Sequence, residues 1–214
     1  MSKLKALIFD LDGTLLDTLD DLMGADNYAL EKYGYPKRTK TEVRKFVGNG
    51  LGKLVSRSIP NGEDNPDYPK ILEALKEYYE VHCLDQTHPY EGIIELLKQV
   101  KKDYSIAIVS NKPDPQVKQL ADKFFPGLID ITSGEKPGVK RKPAPDTVTE
   151  VLNKLKLKTD EAIYIGDSEV DYQTSVNAHL RCISVAWGFR DPEFLAEIGA
   201  TDIIRKPAEL LTKL

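Results

Sequence analysis

The sequence is poor in several residue types, and each shortage excludes a class of protein. Cys83 and Cys182 are the only cysteines among 214 residues, too few and too far apart for a disulfide framework or a paired-thiolate zinc motif. No apolar run approaches the roughly 18 residues that a membrane-spanning helix needs. We therefore expect two reduced, buried thiols and no membrane segment.

The sequence also lacks an excess of basic residues, and its first apolar run is short. Lys and Arg number 30 against 34 Asp and Glu, a net charge of −4, so the basic excess typical of nucleic-acid-binding proteins is missing. The first apolar run spans residues 6–9, which is too short for the core of a signal peptide. These features predict a cytoplasmic protein that has neither nucleic acid nor a membrane as a partner.

The remaining composition is that of an ordinary globular protein. Hydrophobic residues make up 41% and charged residues 30% of the chain, which excludes a disordered protein. The length suits one domain, or a core with a modest insertion, because domains typically hold about 100–200 residues. Such a chain should bury about 70% of its unfolded surface, so it needs no disulfides to form a core.

Five short apolar runs, rich in β-branched or aromatic residues, predict strands. They are residues 6–9, 106–109, 128–132, 162–165 and 182–185. Between the later runs, apolar side chains recur three and four residues apart and predict helices at residues 91–101 and 145–157. Strands that alternate with helices form βαβ units, so we predict an α/β fold with a parallel sheet buried on both faces.

A long helical insertion interrupts this alternation. About 95 residues separate the first strand from the second, whereas a parallel crossover needs only about a dozen. Helical patterns lie at residues 18–33, 40–58 and 67–84, the second of them as two short helices that meet at Gly48-Asn49-Gly50. We therefore predict an all-helical cap domain inserted into a discontinuous α/β core. The cap spans residues 17–86, and the core spans residues 1–16 and 87–214.

The first predicted strand ends directly in Asp10-Leu11-Asp12-Gly13-Thr14. Asp10 and Asp12 are two residues apart, so their side chains project in the same direction, and Gly13 allows the chain to turn away sharply. Two carboxylates this close are costly unless a cation or a shared proton joins them. Alternatively, the segment is a capped turn between a strand and a helix, because Asp and Thr are good N-caps.

Polar side chains also follow three other predicted strands. Ser110 and Asn111 follow the second strand and can donate to an oxyanion, although such a pair is also common in turns. Lys142 follows the third strand, just before prolines that start a helix, where a lysine is otherwise simply solvated. Asp167 and Asp171 follow the fourth strand one helical turn apart, either as a cation-binding pair or as partners of the helix dipole.

These four strand ends should meet, because ligands of open α/β sheets bind beyond the carboxyl ends of the strands. Carboxylate oxygens suit Mg²⁺, whereas hydroxyl, amide and ammonium groups suit phosphate. The combination predicts phosphoryl transfer from a phosphomonoester. The glycine-rich stretch at residues 48–53 does not fit a nucleotide-binding loop, because Val47 and Leu54 stand where that motif needs Gly and Ser or Thr.

In this order, the four segments resemble the motifs of the haloacid dehalogenase superfamily of phosphotransferases. The insertion is similar to that superfamily's small α-helical cap, and the resemblance covers essentially the whole chain. Residues 42–51, 141–146 and 185–189 resemble the phosphoglycolate phosphatase branch, from which Leu19 departs because many members carry proline there. The resemblance implies a Rossmann-like three-layer α/β/α core with an inserted helical cap.

The resemblance also implies roles for the carboxylates. Asp10 is expected to attack phosphorus and form an aspartyl-phosphate. Asp12 is expected to protonate the leaving group and then to deprotonate the hydrolytic water. Mg²⁺ is expected to bind Asp10, the backbone carbonyl of Asp12 and Asp167, with Asp171 assisting through water or hydrogen bonds.

Other residues are expected to contact the phosphate or the leaving group. By the same resemblance, Thr14, Ser110 and Asn111 would bind the phosphoryl oxygens, and Lys142 would neutralise charge on the nucleophile and the phosphate. Gly48-Asn49-Gly50 would touch the leaving group when the cap closes, or would simply turn the chain between two helices.

The predicted function is a Mg²⁺-dependent cytoplasmic phosphatase, a monomer or homodimer, for a small phosphomonoester, with 2-phosphoglycolate as the candidate substrate. Asp12 argues against the dehalogenase branch, which lacks this second carboxylate. A phosphomutase is the nearest alternative, because the groups that distinguish it lie in the cap. A phosphonate hydrolase would need a Schiff-base lysine, for which Lys53 is the candidate. A receiver-like phosphoacceptor is the alternative without turnover.

Overall fold

A computed structural model describes residues 3–214. Met1 and Ser2, with which the predicted core begins, lie outside the described residues. Contacts within the chain define two units: one combines residues up to Leu16 with Pro89–Leu214, and the other holds Asp17–His88. These limits fall close in sequence to the predicted core and cap, whose status as separate domains stays a prediction.

The strands of the described residues form a six-stranded sheet and a separate two-stranded sheet. In chain order they are β1 (Ala6–Phe9), β2 (Leu16–Asp17), β3 (His88–Pro89), β4 (Ser105–Pro113), β5 (Ile131–Glu135), β6 (Ala162–Gly166), β7 (Arg181–Val185) and β8 (Ile203–Ile204). The larger sheet has the order β5-β4-β1-β6-β7-β8, and its strand pairs are parallel. This arrangement confirms the predicted α/β fold with a parallel sheet.

The helices alternate with the strands after β3, whereas the inserted unit is helical. In chain order they are α1 (Leu19–Lys32), α2 (Lys40–Phe46), α3 (Leu51–Ser58), α4 (Tyr68–His82), α5 (Ile93–Val100), α6 (Asp114–Phe124), α7 (Asp146–Leu155), α8 (Glu169–Asn177) and α9 (Pro192–Glu197). None of the helices found in residues 3–214 is both long enough and apolar enough to cross a membrane.

Strand β1 lies inside the sheet and is buried along its whole length, with each of its four residues at most 1% exposed. Helix α7 contributes Val148 and Val151 to the core that contains Ile8 and Tyr164. Burial of each such large side chain contributes about 1.5–3 kcal/mol, so the strand that carries Asp10 is among the best-anchored parts of the molecule. Asp10 therefore follows a strand whose position is fixed by the core.

Local sequence signals set the limits of the inserted helices. Thr39 caps α2 through a reciprocal capping box with Glu42, and the predicted pair of short helices on either side of Gly48-Asn49-Gly50 is confirmed as α2 and α3. Gly34 follows the end of α1 with a φ of 76°, the left-handed conformation that favours glycine at this position.

Two strand predictions need correction. The third strand spans Ile131–Glu135 rather than residues 128–132, because Leu128 closes a turn with Phe125. The second strand continues to Pro113, so Ser110 and Asn111 lie within it rather than after it. The short strand β8 was not predicted, because a run of two isoleucines is too short to show the alternating pattern of a strand.

The two cysteines also differ from each other in burial. Both are free thiols, as predicted, but Cys83 is buried whereas Cys182 is only half-buried. The prediction of two buried thiols is therefore wrong for Cys182, which occupies the second position of β7 towards its more open end.

Asp26 places a buried carboxyl in the helical unit, and this carboxyl should make stability depend on pH. Its Oδ2 accepts a hydrogen bond from Ser58 Oγ at 2.7 Å, whereas its Oδ1 has no hydrogen-bond partner among the described residues. Burial raises the pKa of Asp26 to about 6, against the lowering effects of the Ser58 hydrogen bond and of Arg38. Because the folded pKa is raised, the contribution to stability is present at low pH and is lost as the pH rises through about 6.

We therefore expect Asp26→Asn to stabilise the folded protein more at high pH than at low pH. Its free energy of unfolding relative to the unsubstituted chain should rise by roughly 1–2 kcal/mol between pH 5 and pH 8. Urea unfolding at the two pH values measures this change. Asp64→Asn, at an exposed carboxyl of the same unit, is the matched control. A difference that shrinks with rising pH would contradict the assignment.

Candidate active site

The register of the sheet brings the predicted residues to one edge. Phe9 lies opposite Ile108 of β4 and Ile165 of β6, so the residues that follow each of these positions lie side by side. Asp10 extends this pattern, because its backbone N–H donates to the carbonyl of Ile165 at 2.9 Å. Parallel strands end at the same edge, and the side chains of Asp10, Ser110 and Asp167 are buried there.

Lys142 is the centre of the charged cluster. Its ammonium lies 2.8 Å from Asp10 Oδ1 and 2.7 Å from Asp171 Oδ1, and it donates to the Tyr164 hydroxyl at 3.1 Å. Burial lowers the pKa of Lys142, but the negative charges of Asp10 and Asp171 outweigh it, so the net pKa lies well above the usual value. A permanently charged lysine is thereby held against the expected nucleophile.

Helix α8 fixes Asp171 by capping. Ser168 is the N-cap residue, and its backbone N–H and hydroxyl donate to Asp171 Oδ2 at 3.1 and 2.6 Å. The Tyr164 hydroxyl donates to the other carboxylate oxygen at 3.1 Å. Since both oxygens are engaged within the protein, Asp171 orients Lys142 in this structure. The role of Asp171 at a cation, direct or assisting, stays a prediction.

Asp167 lies in a narrow cradle. Thr14 Oγ1 donates to Asp167 Oδ1 at 3.2 Å, and the backbone N–H of Phe189 donates to Oδ2 at 2.7 Å. The α-carbons of Gly13 and Gly188 lie so close that a Cβ at either position would overlap the Asp167 carboxylate. Gly13 has a φ of 86°, so this turn needs glycine for its backbone conformation as well.

Three of these carboxylates form a site that fits a divalent cation. One oxygen from each of Asp10, Asp167 and Asp171 lies within 4.8 Å of the others. Burial raises the pKa of Asp10 well above its ordinary value, and the charge of Asp171 raises it further. Burial likewise raises the pKa of Asp167 to about 7, with Asp171 as the next contribution. Burial and mutual repulsion thus disfavour ionisation of these carboxyls unless a positive partner is bound, and their hard oxygen donors suit a cation such as Mg²⁺.

The remaining predicted residues have different contacts. Asn111 Nδ2 donates to the backbone carbonyl of Lys142 at 3.1 Å, so it braces the segment that carries the lysine. Asp12 pairs with Lys112 rather than with Lys142, at 2.9 Å between Nζ and Oδ1. Gly48-Asn49-Gly50 lies in the helical unit and forms the turn between α2 and α3. Its contact with a leaving group stays a prediction.

Sequence reasoning missed several contributors to this site, among them Lys112, Tyr164 and Ser168. Lys112 follows the predicted pair on β4 and is 4% exposed, although a lysine near a strand end is usually solvated. The available signal was the spacing of Lys112 from Ser110. Residues two apart on a strand project from the same face, so the predicted site residue Ser110 implied the side of the sheet on which Lys112 lies. Tyr164 was assigned to the apolar core, and its hydroxyl gave no separate signal. Ser168 and Asp171 carry a capping-box pattern that the sequence does show.

The chain is similar to known proteins of one family. The family model described as haloacid dehalogenase-like hydrolase matches residues 7–185. The chain belongs to the haloacid dehalogenase-like hydrolase family. The predicted resemblance is thus confirmed, and the strand-end carboxylates and Lys142 lie within the matched segment.

Individual relatives give the likeness in more detail. A phosphoglycolate phosphatase of Pseudomonas syringae pv. tomato is 32% identical over 215 residues, which cover 94% of this chain and 76% of that protein. An N-acetylmuramic acid 6-phosphate phosphatase of Pseudomonas aeruginosa is 28% identical over 218 residues, covering 99% and 95%. The crystal structure of a candidate phosphoglycolate phosphatase from Lactobacillus delbrueckii subsp. bulgaricus is 39% identical, with a TM-score of 0.92 over 98% of this chain and 97% of that chain.

The glycine cradle around Asp167 predicts a large effect from a single methyl group. In Gly188→Ala, the added carbon would overlap the carbonyl oxygen of Gly13 and the Asp167 carboxylate, so one of them must move. Displacement of a reacting or cation-binding group by about 1 Å can cost about 100-fold in rate. We expect such a loss in kcat for p-nitrophenyl phosphate while the circular dichroism spectrum is preserved.

Gly24→Ala is the matched control for Gly188→Ala. Gly24 lies within α1, and a Cβ there would meet nothing within 4 Å. Alanine should stabilise that helix by up to about 1 kcal/mol and leave turnover unchanged. Wild-type kcat in Gly188→Ala would show that the cradle tolerates the methyl group, which contradicts the steric argument.

Proposed function

We propose that this protein is a Mg²⁺-dependent cytoplasmic phosphatase that hydrolyses a small phosphomonoester through an aspartyl-phosphate. The observation that carries the proposal is the buried Asp10 carboxylate at the end of β1, in contact with Lys142 and close to Asp167 and Asp171. Several similar proteins are named phosphoglycolate phosphatase, which makes 2-phosphoglycolate the first substrate to test.

In the first step, a carboxylate oxygen of Asp10 attacks phosphorus. The new bond joins that oxygen to phosphorus, and the bond from phosphorus to the ester oxygen of the alcohol breaks. The Lys142 ammonium, 2.8 Å from Asp10, stabilises the negative charge that the transferring group and the nucleophile share. The Ser110 hydroxyl at the neighbouring strand position is available to donate to a phosphoryl oxygen.

Asp12 supplies and removes the protons. Its protonated carboxyl gives a proton to the departing alkoxide, and the resulting carboxylate then accepts a proton from the water that attacks the aspartyl-phosphate. Its side chain is 19% exposed, against 10% for Asp10, which suits a group that must meet both the leaving group and water. The second step releases phosphate and regenerates Asp10.

Asp10, Asp167 and the backbone carbonyl of Asp12 would hold Mg²⁺, with Asp171 and Thr14 orienting the ligands. When bound, the cation withdraws charge from the phosphoryl oxygens and offsets the repulsion between nucleophile and substrate. The raised pKa values of Asp10 and Asp167 support this role, because burial and mutual repulsion leave the carboxylates in need of a positive partner.

The helical unit is proposed to act as the cap, with Gly48-Asn49-Gly50 on the leaving-group side. Lys53 does not favour the phosphonate hydrolase alternative, since it is about half exposed and pairs with Glu63 at 2.6 Å. A Schiff-base lysine needs a desolvated position that favours the neutral amine. Lys53 instead lies at the surface in an ion pair, which favours the charged ammonium.

A phosphate-ester panel tests the proposed function. It contains p-nitrophenyl phosphate, 2-phosphoglycolate and several sugar phosphates, each assayed with Mg²⁺ and with EDTA. We expect release of inorganic phosphate that needs Mg²⁺ and is reduced at least about 100-fold by EDTA. Equal rates under both conditions, or no turnover of any ester, would contradict the proposal. Isomerised sugar phosphate without free phosphate would identify a mutase instead.

A further inference from the structure

Lys112 is a second buried cation in the core unit, separate from the cluster around Lys142. Its side chain is 2% exposed, and its ammonium lies 2.9 Å from Asp12 Oδ1. A buried lysine is rare unless it is paired, because removing an ammonium from water is costly. Apolar residues would fill the same space on β4 without that cost. The pairing with Asp12 is therefore the feature that needs an explanation.

The backbone of Lys112 contacts a second group of the site. Its N–H donates to Ser110 Oγ at 3.2 Å. Because the Ser110 oxygen accepts this bond, its own proton remains available for another acceptor. One residue thus contacts both the hydroxyl on β4 and the carboxyl that follows β1.

The carboxyl that Lys112 holds is the most open of the carboxyls that pair with the two buried lysines. The Asp12 side chain is 19% exposed, whereas those of Asp10 and Asp171 are 10% and 1% exposed. Asp10 and Asp171 are fixed by Lys142 and, for Asp171, by Ser168. Without Lys112, Asp12 could rotate into solvent, since a carboxyl on a turn has several accessible rotamers.

We propose that Lys112 is a positioning residue for Asp12: the ion pair between its ammonium and the Asp12 carboxyl holds that carboxyl in the rotamer from which it protonates the leaving group. The inference rests on the proposed phosphatase function and adds to it. Lys112 touches neither phosphorus nor the cation in this account, and its effect on the reaction passes through Asp12. Correct orientation of an acid or base is worth a large share of its catalytic effect.

A double-mutant cycle tests this role. Lys112→Met removes the ammonium and keeps the chain length, Lys112→Gln is a second, polar variant, and Asp12→Asn removes the group that is positioned. Each is assayed with p-nitrophenyl phosphate, whose leaving group needs little protonation, and with an alkyl phosphate. Lys136→Met, which breaks a half-exposed ion pair with Glu150 and leaves Asp12 with its partner, is the matched control.

We expect Lys112→Met to lower kcat for the alkyl phosphate by about 10–100-fold, part of the 10²–10⁴-fold that an acid–base group contributes. The rate of enzyme phosphorylation by p-nitrophenyl phosphate should change less than about threefold, and KM for both esters less than about twofold. In the Asp12→Asn background, Lys112→Met should add less than about a twofold loss, because its target is already absent.

Several results would overturn the inference. Full additivity with Asp12→Asn, or equal losses for the aryl and alkyl esters, would show that Lys112 acts independently of Asp12. A raised KM at constant kcat would assign Lys112 to substrate binding. If Lys112→Met does not fold, Lys112→Gln is subject to the same criteria. The proposed function fails separately, if the unsubstituted protein turns over no phosphate ester at all.

Discussion

Asp10→Asn should reduce phosphatase turnover to background, a loss of at least about 10⁴-fold. An amide in place of the carboxylate cannot attack phosphorus, so no aspartyl-phosphate forms, and one oxygen donor of the cation site is lost as well. Neither Asp167 nor Asp171 can substitute for Asp10. Asp167 is held by Thr14 and Phe189, and Asp171 by Ser168.

The loss in Asp10→Asn should occur without loss of fold. Burial and the charge of Asp171 raise the pKa of Asp10, so the ionised carboxyl is itself a destabilising element of the cation-free protein. We expect the Tm of Asp10→Asn in EDTA to equal or exceed that of the unsubstituted chain. Asp122→Asn, at an exposed position of α6, is the control for the substitution chemistry. Wild-type turnover by a folded Asp10→Asn protein would exclude Asp10 as the nucleophile.

Asp12→Asn should cost about 10²–10⁴-fold, and the loss should depend on the leaving group. The nucleophile remains, and the backbone carbonyl at position 12 is unchanged. Only the proton donor and acceptor is removed, together with the partner of Lys112. With p-nitrophenyl phosphate, the first step needs little acid assistance, so rapid-quench measurements should show a burst of p-nitrophenol followed by slow breakdown of the phosphoenzyme.

With an alkyl phosphate, Asp12→Asn should also fail in the first step, because the alkoxide leaves without a proton. The ratio of phosphorylation rates for aryl and alkyl esters is therefore the quantity to compare between Asp12→Asn and the unsubstituted chain. If the substitution slows both esters by the same factor, Asp12 is not the general acid. If the phosphoenzyme breaks down at the normal rate, Asp12 is not the general base.

The sequence was sufficient to predict most of the sheet and the carboxylates that lie at its edge. Apolar runs of four residues predicted β1, β6 and β7 within about one residue, because a parallel strand buried on both faces has few polar positions. Carboxylates directly after such strands must lie at the sheet edge. Asp10 and Asp167 were predicted for this reason.

Contacts that depend on the register between distant segments could not be predicted in the same way. Thr14 and Asp167 are 153 residues apart in sequence, and the approach of Gly188 to Gly13 spans a similar separation. No local period encodes such a contact. Lys112 was missed because lysine near a strand end is normally solvated, and its burial depends on the position of Asp12 on another element.

In the proposed reaction, the phosphoryl group passes through a covalent bond to Asp10. The most direct test mixes the Asp12→Asn protein with p-nitrophenyl phosphate and Mg²⁺, quenches during the burst, and treats the product with borohydride. Reduction converts an acyl phosphate to an alcohol, which peptide mass spectrometry can locate. We expect homoserine at position 10, and none when the ester is left out. Reduction at another carboxylate, or turnover with no reducible intermediate at any time, would contradict the proposed reaction.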